Sequence, residues 1–116
     1  MGAPAYAVKV EWDTLRSIAF SSILGTYVAI GSRMLYPIRL IKLYNSTDAD
    51  LFISNDGIND KDIIPAKSEI IYDIASNKSD QGGCLFLSTN QQLYVRYVSA
   101  PGLGTLYLTT IYGTDV

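Results

Sequence analysis

The densest chemistry-bearing stretch of the chain is Asn55-Asp56-Gly57-Ile58-Asn59-Asp60-Lys61-Asp62. Carboxylates and amides on one short loop are the hard oxygen donors that a cation such as calcium takes. The spacing departs from the EF-hand order: Gly57 follows the first Asp instead of closing a set of three ligands, and Lys61 places a positive charge among the oxygens. The same residues suit a hairpin connection, where Asn and Asp side chains bond the nearby backbone. The turn reading is preferred, and no metal and no cofactor is expected.

Acid–base chemistry is poorly supplied. The other carboxylates include Glu11, Asp48, Asp50, Glu69 and Asp73, with no His to share the work. A glycosidase needs two carboxylates flanking a cleft, whereas these fall mostly in turn-like segments and read as solvated. With no His and one Cys, a His-based nucleophile triad, most zinc sites and any internal disulfide are excluded. Cys84, in the run Cys84-Leu85-Phe86-Leu87, reads as a small buried hydrophobe. Gly82-Gly83 and Gly102-Leu103-Gly104 lack phosphate-loop spacing and read as hairpin turns. No catalytic residue is assigned, and an enzyme is not expected. Trp12 and the nine Tyr remain, and aromatic faces serve cores, protein contacts and sugar stacking alike.

The bulk properties narrow the partners. A chain of 116 residues, 48% hydrophobic and 17% charged, is one folded domain. Nine basic residues against eleven acidic ones give a net charge of −2, and the basic residues are scattered singly. Nucleic-acid binding wants a basic patch, so it is not expected. No segment reaches the ~18 apolar residues of a membrane span. Lys9, Glu11 and Asp13 interrupt any secretory pattern, and Tyr6 stands where N-myristoylation wants Ser or Thr. The expectation is a protein made and kept in a cytoplasm, or assembled there into something larger.

The elements that must position these residues are short apolar runs separated by turn chemistry, the signature of an all-β sandwich or barrel. Strands are expected at Tyr6–Val10, Ser17–Ser21, Tyr27–Gly31, Ile38–Tyr44, Leu51–Ser54, Ser68–Ile74, Cys84–Ser88, Gln92–Ser99 and Thr105–Tyr112. Leu15, Ile18, Ala19 and Ile23 would also fit one face of a helix, but strand is favoured there. Polar turns fall at 45–50 and 55–57, a break at Pro65-Ala66-Lys67, and the longest polar loop at Ser76–Gly83. The fold class is therefore a single β-sandwich of eight or nine mostly antiparallel strands.

Apolar residues occupy both faces of these strands. In Thr105–Tyr112, Leu106 and Leu108 oppose Tyr107 and Ile111; in Gln92–Ser99, Leu93, Val95 and Tyr97 alternate with Tyr94, Arg96 and Val98. A small isolated sandwich should show one wet face per sheet. Two-faced strands without helices imply a covering layer supplied by another copy or another protein.

Several blocks resemble small β-sandwich virion proteins of tailed bacteriophages. They include Arg16-Ser17-Ile18-Ala19-Phe20, Gly25-Thr26-Tyr27, Pro37-Ile38-Arg39-Leu40-Ile41-Lys42 and Ile53-Ser54-Asn55-Asp56-Gly57, then Pro65-Ala66-Lys67-Ser68, Tyr94-Val95-Arg96 and Gly104-Thr105-Leu106-Tyr107-Leu108-Thr109. They span about residues 16–113. These are strand-and-turn patterns, so the resemblance implies a fold and an assembly habit and carries over no catalytic residue. It implies a structural, non-enzymatic subunit, present in several copies in the virion and assembled in the host cytoplasm. Its place would be the head–tail connection (neck or tail), with capsid decoration as the alternative. A carbohydrate-binding or lectin-like module is the rival from another class. Residues 1–15 are expected to form an arm or edge strand and 16–116 the sandwich. The contact residues expected are Tyr6, Val8, Trp12, Tyr94, Arg96 and Tyr107, and the partners are copies of the chain and other virion proteins.

Overall fold

Period-two alternation decides how the chain stacks. In the longest strand, Leu106, Leu108 and Thr110 are buried while Tyr107 between them is exposed, so that strand can only lie over a core. The computed structural model describes residues 8–73 and 90–115. Their regular structure is nine strands: β1 (Val8–Trp12), β2 (Arg16–Ala19), β3 (Val28–Ala29), β4 (Ile38–Asn45), β5 (Leu51–Ser54), β6 (Asp62–Ile64), β7 (Ser68–Asp73), β8 (Tyr94–Tyr97) and β9 (Thr105–Asp115). A single 3-10 turn at Phe20–Ser22 is the one helical element among them.

Two antiparallel sheets result. The five-stranded sheet runs β1-β9-β4-β7, with β2 sharing β1's edge of β9; the four-stranded sheet runs β3-β8-β5-β6. β9 is the spine: its first half pairs β2, its second half pairs β1, and its other edge pairs β4. Between the sheets lie Ile38, Ile41, Leu43, Leu106 and Leu108 from one side and Leu51, Ile53, Ile64 and Val95 from the other. Each such side chain taken from water contributes about 1.5–3 kcal/mol.

β1 and β2 share one edge of β9 with a shift in register between them, from Trp12 opposite Ile111 to Arg16 opposite Leu108, and Arg16 holds the junction. The side chain is 4% exposed. Its Nε donates to Ser32 O at 2.7 Å and Nη1 to Thr14 O at 3.1 Å and Thr110 Oγ1 at 3.3 Å. Nη2 donates to Asp13 Oδ2 at 3.1 Å and Arg33 O at 3.0 Å. Every N–H is thereby engaged, as a buried guanidinium requires. Gly31 lies against this stem at φ +65, where a Cβ would come within 2.9 Å of Arg16 Cβ and Cγ.

A second polar lock ties the turns at one end. Asn45 is fully buried; its Nδ2 donates to the carbonyls of Ala49, Ile64 and Pro65, and its Oδ1 accepts from the amide and hydroxyl of Thr47. The turn before β9 crosses the same corner, where Ser46 N donates to Thr105 O at 3.0 Å. Gly104 makes that crossing possible: at φ +93, a Cβ would stand 2.4 Å from Ser46 O.

The sandwich is as expected, with shifts at its margins. The first strand is Val8–Trp12 instead of Tyr6–Val10, because its partners are Ile111–Asp115; Tyr6 lies outside the described residues. Within residues 8–12 the expected arm is an edge strand of its own chain's sheet. The expected strand Ser17–Ser21 begins at Arg16 and ends at Ala19, because Ile23 N bonds Phe20 O and closes a 3-10 turn. Tyr27–Gly31 shortens to two residues and Gln92–Ser99 to Tyr94–Tyr97, whereas the last strand runs on to Asp115. β6 is a strand that the pattern did not announce. The expected strand Cys84–Ser88 and loop Ser76–Gly83 lie outside the described residues.

Two substitutions test the locks. Arg16→Met, which strands buried carbonyls and Asp13, should lower unfolding free energy in urea by about 3 kcal/mol or more. Gly104→Ala should cost about 2 kcal/mol or more through strain and clash, while Gly102→Ala, whose Cβ would stand 3.4 Å from Asp48 Oδ2, should stay within about 0.5 kcal/mol.

Candidate functional site

The outer face of the five-stranded sheet is the first candidate. By register, Trp12, Ile111, Leu40 and Asp73 form one row across it; Thr109, Lys42 and Ile71 a second; Ser17, Tyr107, Tyr44 and Glu69 a third. Trp12 is 74% exposed, Val10 62% and Ile71 56%; Tyr44 and Tyr107 are also exposed. The two tyrosine rings lie nearly parallel with centroids 6.2 Å apart. A face this rich in Trp, Tyr, Val and Ile, with charge at Lys42 and along the β7 margin, has the chemistry of a protein contact surface.

The outer face of the four-stranded sheet is different. There Arg96 is fixed from three directions: its guanidinium carbon lies 4.6 Å from the Phe52 ring centroid and 5.6 Å from that of Tyr27. Asp60 accepts from Nε at 3.0 Å and from Nη2 at 2.8 Å, the planar fork that Arg forms with carboxylates. The Tyr27 hydroxyl donates to Asp60 as well. Arg96, then Tyr27, holds the Asp60 carboxyl below its ordinary range. Burial, then the bond to Asp60, pushes Tyr27 up to about 12. Beside this group lies an open hollow of about 380 Å³ lined by Gly25, Thr26, Tyr27, Gly57, Ile58, Asp60 and Arg96.

The acidic loop is an organised turn. Asp56 Oδ1 accepts from the amides of Ile58 and Asn59 at 2.8 and 2.9 Å and from Ser54 Oγ at 2.7 Å. Its Oδ2 accepts from Asn59 Nδ2 at 2.9 Å. The Asn59 amide, the Ser54 hydroxyl and the Ile58 amide together hold the Asp56 carboxyl far below the usual carboxylate range. Asp60 is turned to Arg96, and Asp62 takes the amide of Ile63 and the Tyr72 hydroxyl. The carboxylates therefore diverge toward separate donors. Among the described residues no group of three or more His, Cys, Asp or Glu is gathered as metal ligands.

Asp62 and Tyr72 also line a cavity of about 400 Å³ between the sheets, with Ile41, Leu43, Ile53 and Leu93 as its apolar wall. Burial, then the bond to Asp62, raises the Tyr72 hydroxyl, which stays protonated. Asp62 is the one carboxylate among the residues lining this cavity, so it does not present the paired acids of a glycosidase.

The six expected contact residues do not make one surface. Trp12 and Tyr107 lie on the outer face of the five-stranded sheet, Tyr94 and Arg96 on that of the other. Val8 begins β1 opposite Asp115, its side chain outside the described part, as is all of Tyr6. Tyr94 is half-buried, its ring 3.5 Å from where a Cβ on Gly57 would stand. The residues that sequence reasoning did not single out as contacts are Tyr44 and Ile71 on the first face and Tyr27 and Phe52 around Arg96; Asp60 was read as a turn residue, without its pairing to Arg96. For Tyr44 and Ile71 the signal was present as period-two alternation within their strands. For Asp60 there was none, since it meets Arg96 across 36 positions of chain.

Compared with known proteins, the chain matches no family model, no curated protein and no solved structure. Function must therefore be argued from these surfaces.

Acid should reveal the Asp56 turn. A carboxyl depressed in the folded state contributes stability above its unfolded pKa of about 3.9 and loses it as pH falls toward the folded value. The urea midpoint of the wild type should drop between pH 5 and pH 2 more steeply than that of Asp56→Asn, which starts lower and follows a flatter profile.

Proposed function

We propose that this chain is a structural, non-enzymatic subunit of a tailed-phage virion, acting in several copies at the head–tail connection. The observation that carries the reading is the exposed aromatic and aliphatic face of the five-stranded sheet. Among the described residues no helix covers it, and exposed patches of this kind are characteristic of interaction surfaces. The sandwich class and the resemblance of residues 16–113 to small phage virion proteins support the same assignment.

The mechanism is contact. Trp and Tyr dominate binding hot spots because they bury large areas with few rotors. Trp12, Val10, Ile71, Tyr44 and Tyr107 would be buried when a neighbouring subunit docks, each apolar side chain contributing up to about 1.5–3 kcal/mol. Lys42, with Glu69 and Asp73 along β7, would set the register of docking, since charges choose orientation and partner more than they add affinity. The particle would be held by burial multiplied over copies.

Sedimentation equilibrium and native mass spectrometry test this. The wild type should self-associate, and Trp12→Glu and Tyr107→Asp should each weaken association at least tenfold, about 1.4 kcal/mol, with circular dichroism unchanged. A wild type that stays monomeric at high concentration and on incubation with purified virion proteins, or variants that associate undiminished, would remove the reading. If Tyr107→Asp unfolds, Trp12→Glu decides, because Trp12 is 74% exposed against 37% for Tyr107.

A further inference from the structure

We propose that the hollow between residues 25–27 and 57–60, on the sheet opposite the assembly face, binds neutral pyranose sugars. Three features combine there. First, the polar groups are placed in advance: Arg96 is stacked on Phe52 and Tyr27 and clamped by Asp60, so its donors and the carboxylate's acceptors keep one geometry without a ligand. Preorganisation of this kind removes the ordering cost that weak ligands cannot offset. Second, the pair faces the open space: Asp60 takes Nε and Nη2 of Arg96 and the Tyr27 hydroxyl, and all three residues line the hollow. A guanidinium beside a carboxylate offers adjacent donors and acceptors, which is what two neighbouring sugar hydroxyls, each both donor and acceptor, require.

Third, the walls suit a ring with an apolar face. Gly25 and Gly57 place no side chain in the hollow, and Ile58, 80% exposed, stands beside Tyr27 as an apolar flank. The Tyr94 ring packs against Gly57 and supports that wall. The volume of about 380 Å³ falls in the range of small-molecule sites. Charge chooses the ligand class. Arg96 and Asp60 neutralise each other, so a phosphate or sulfate meets the carboxylate and a cation meets the guanidinium. A neutral, hydroxyl-rich ring meets neither penalty. The inference draws on the sheet that the assembly reading does not use, and neither depends on the other.

Affinity electrophoresis of the intact protein in gels containing dextran, laminarin or galactomannan tests it, with dextran sulfate as the charged control. At least one neutral polysaccharide should retard the protein. Arg96→Met, which keeps an unbranched apolar stem and loses the guanidinium with its donors, and Tyr27→Phe, which loses one hydroxyl, should each weaken that retardation about tenfold or more. Amide shifts in ¹⁵N spectra of the wild type should cluster at residues 25–27, 57–60 and 96 on adding the retarding polysaccharide. The proposal is overturned by no retardation in any neutral gel, by retardation in dextran sulfate alone, or by retardation unchanged in both variants. Should a variant fail to fold, Ile58→Ser and the wild-type shifts decide, and shifts lying away from the hollow overturn it.

Discussion

A charged group removed from water must be met on every donor, and the fold is arranged around one such group. Arg16 receives the carbonyls of Thr14, Ser32 and Arg33, the hydroxyl of Thr110 and the carboxylate of Asp13. These groups come from the β1–β2 link, the segment after β3, and β9. One guanidinium therefore fixes how two successive strands share a single edge of β9. If that junction relaxed, β1 would lose its register opposite Ile111–Asp115. A slip by one residue would turn Trp12 and Val10 to the other side of the sheet. The exposed face proposed for assembly thus depends on a buried ion that touches none of it.

The same economy holds at the start of β9. Asn45 meets the carbonyls of Ala49, Ile64 and Pro65, and Gly104 lets the turn before β9 pass over Ser46. Polar chemistry concentrated at turn corners leaves the strands free to be apolar inward and aromatic outward. No buried side-chain nitrogen or oxygen among the described residues lacks a hydrogen-bond partner. Helical layers usually cover the second face of a two-faced sheet; here none does so among the described residues, and the outward aromatics are open to solvent.

Which parts of this were legible in the sequence follows from the range of the interactions. Alternation is a local property, so the inward sets Leu93, Val95 and Tyr97, and Leu106 and Leu108, could be read directly, and the sandwich followed. β6 escaped because inward-facing Asp62 breaks the apolar alternation; its carboxylate takes the Tyr72 hydroxyl from the facing sheet. The 3-10 turn at Phe20–Ser22 escaped because it is shaped by Phe20 N bonding Gly104 O, a partner 84 positions away. Arg96 was singled out as a contact residue, but its pairing with Asp60 and its two aromatic faces belong to tertiary structure. Likewise, nothing local shows that Tyr94 and Tyr107 lie on opposite sheets.

That separation gives the two outer faces different physical characters. On the five-stranded sheet the exposed groups are large and mostly apolar, with the Tyr44–Tyr107 ring contact among them, so their affinity is realised only when a partner excludes water. On the four-stranded sheet the exposed groups are already bonded to one another through Asp60, and a macromolecule covering them would have to desolvate a charged pair for little return. A subunit that buries the first face against its neighbours leaves the second directed outward and still accessible. On the two readings proposed above, the clamped Arg96 would lie on the face whose desolvation cost keeps it out of subunit contacts and leaves it to weak, reversible contacts with a hydroxylated surface, where many identical copies would raise the effective affinity without any single site becoming tight.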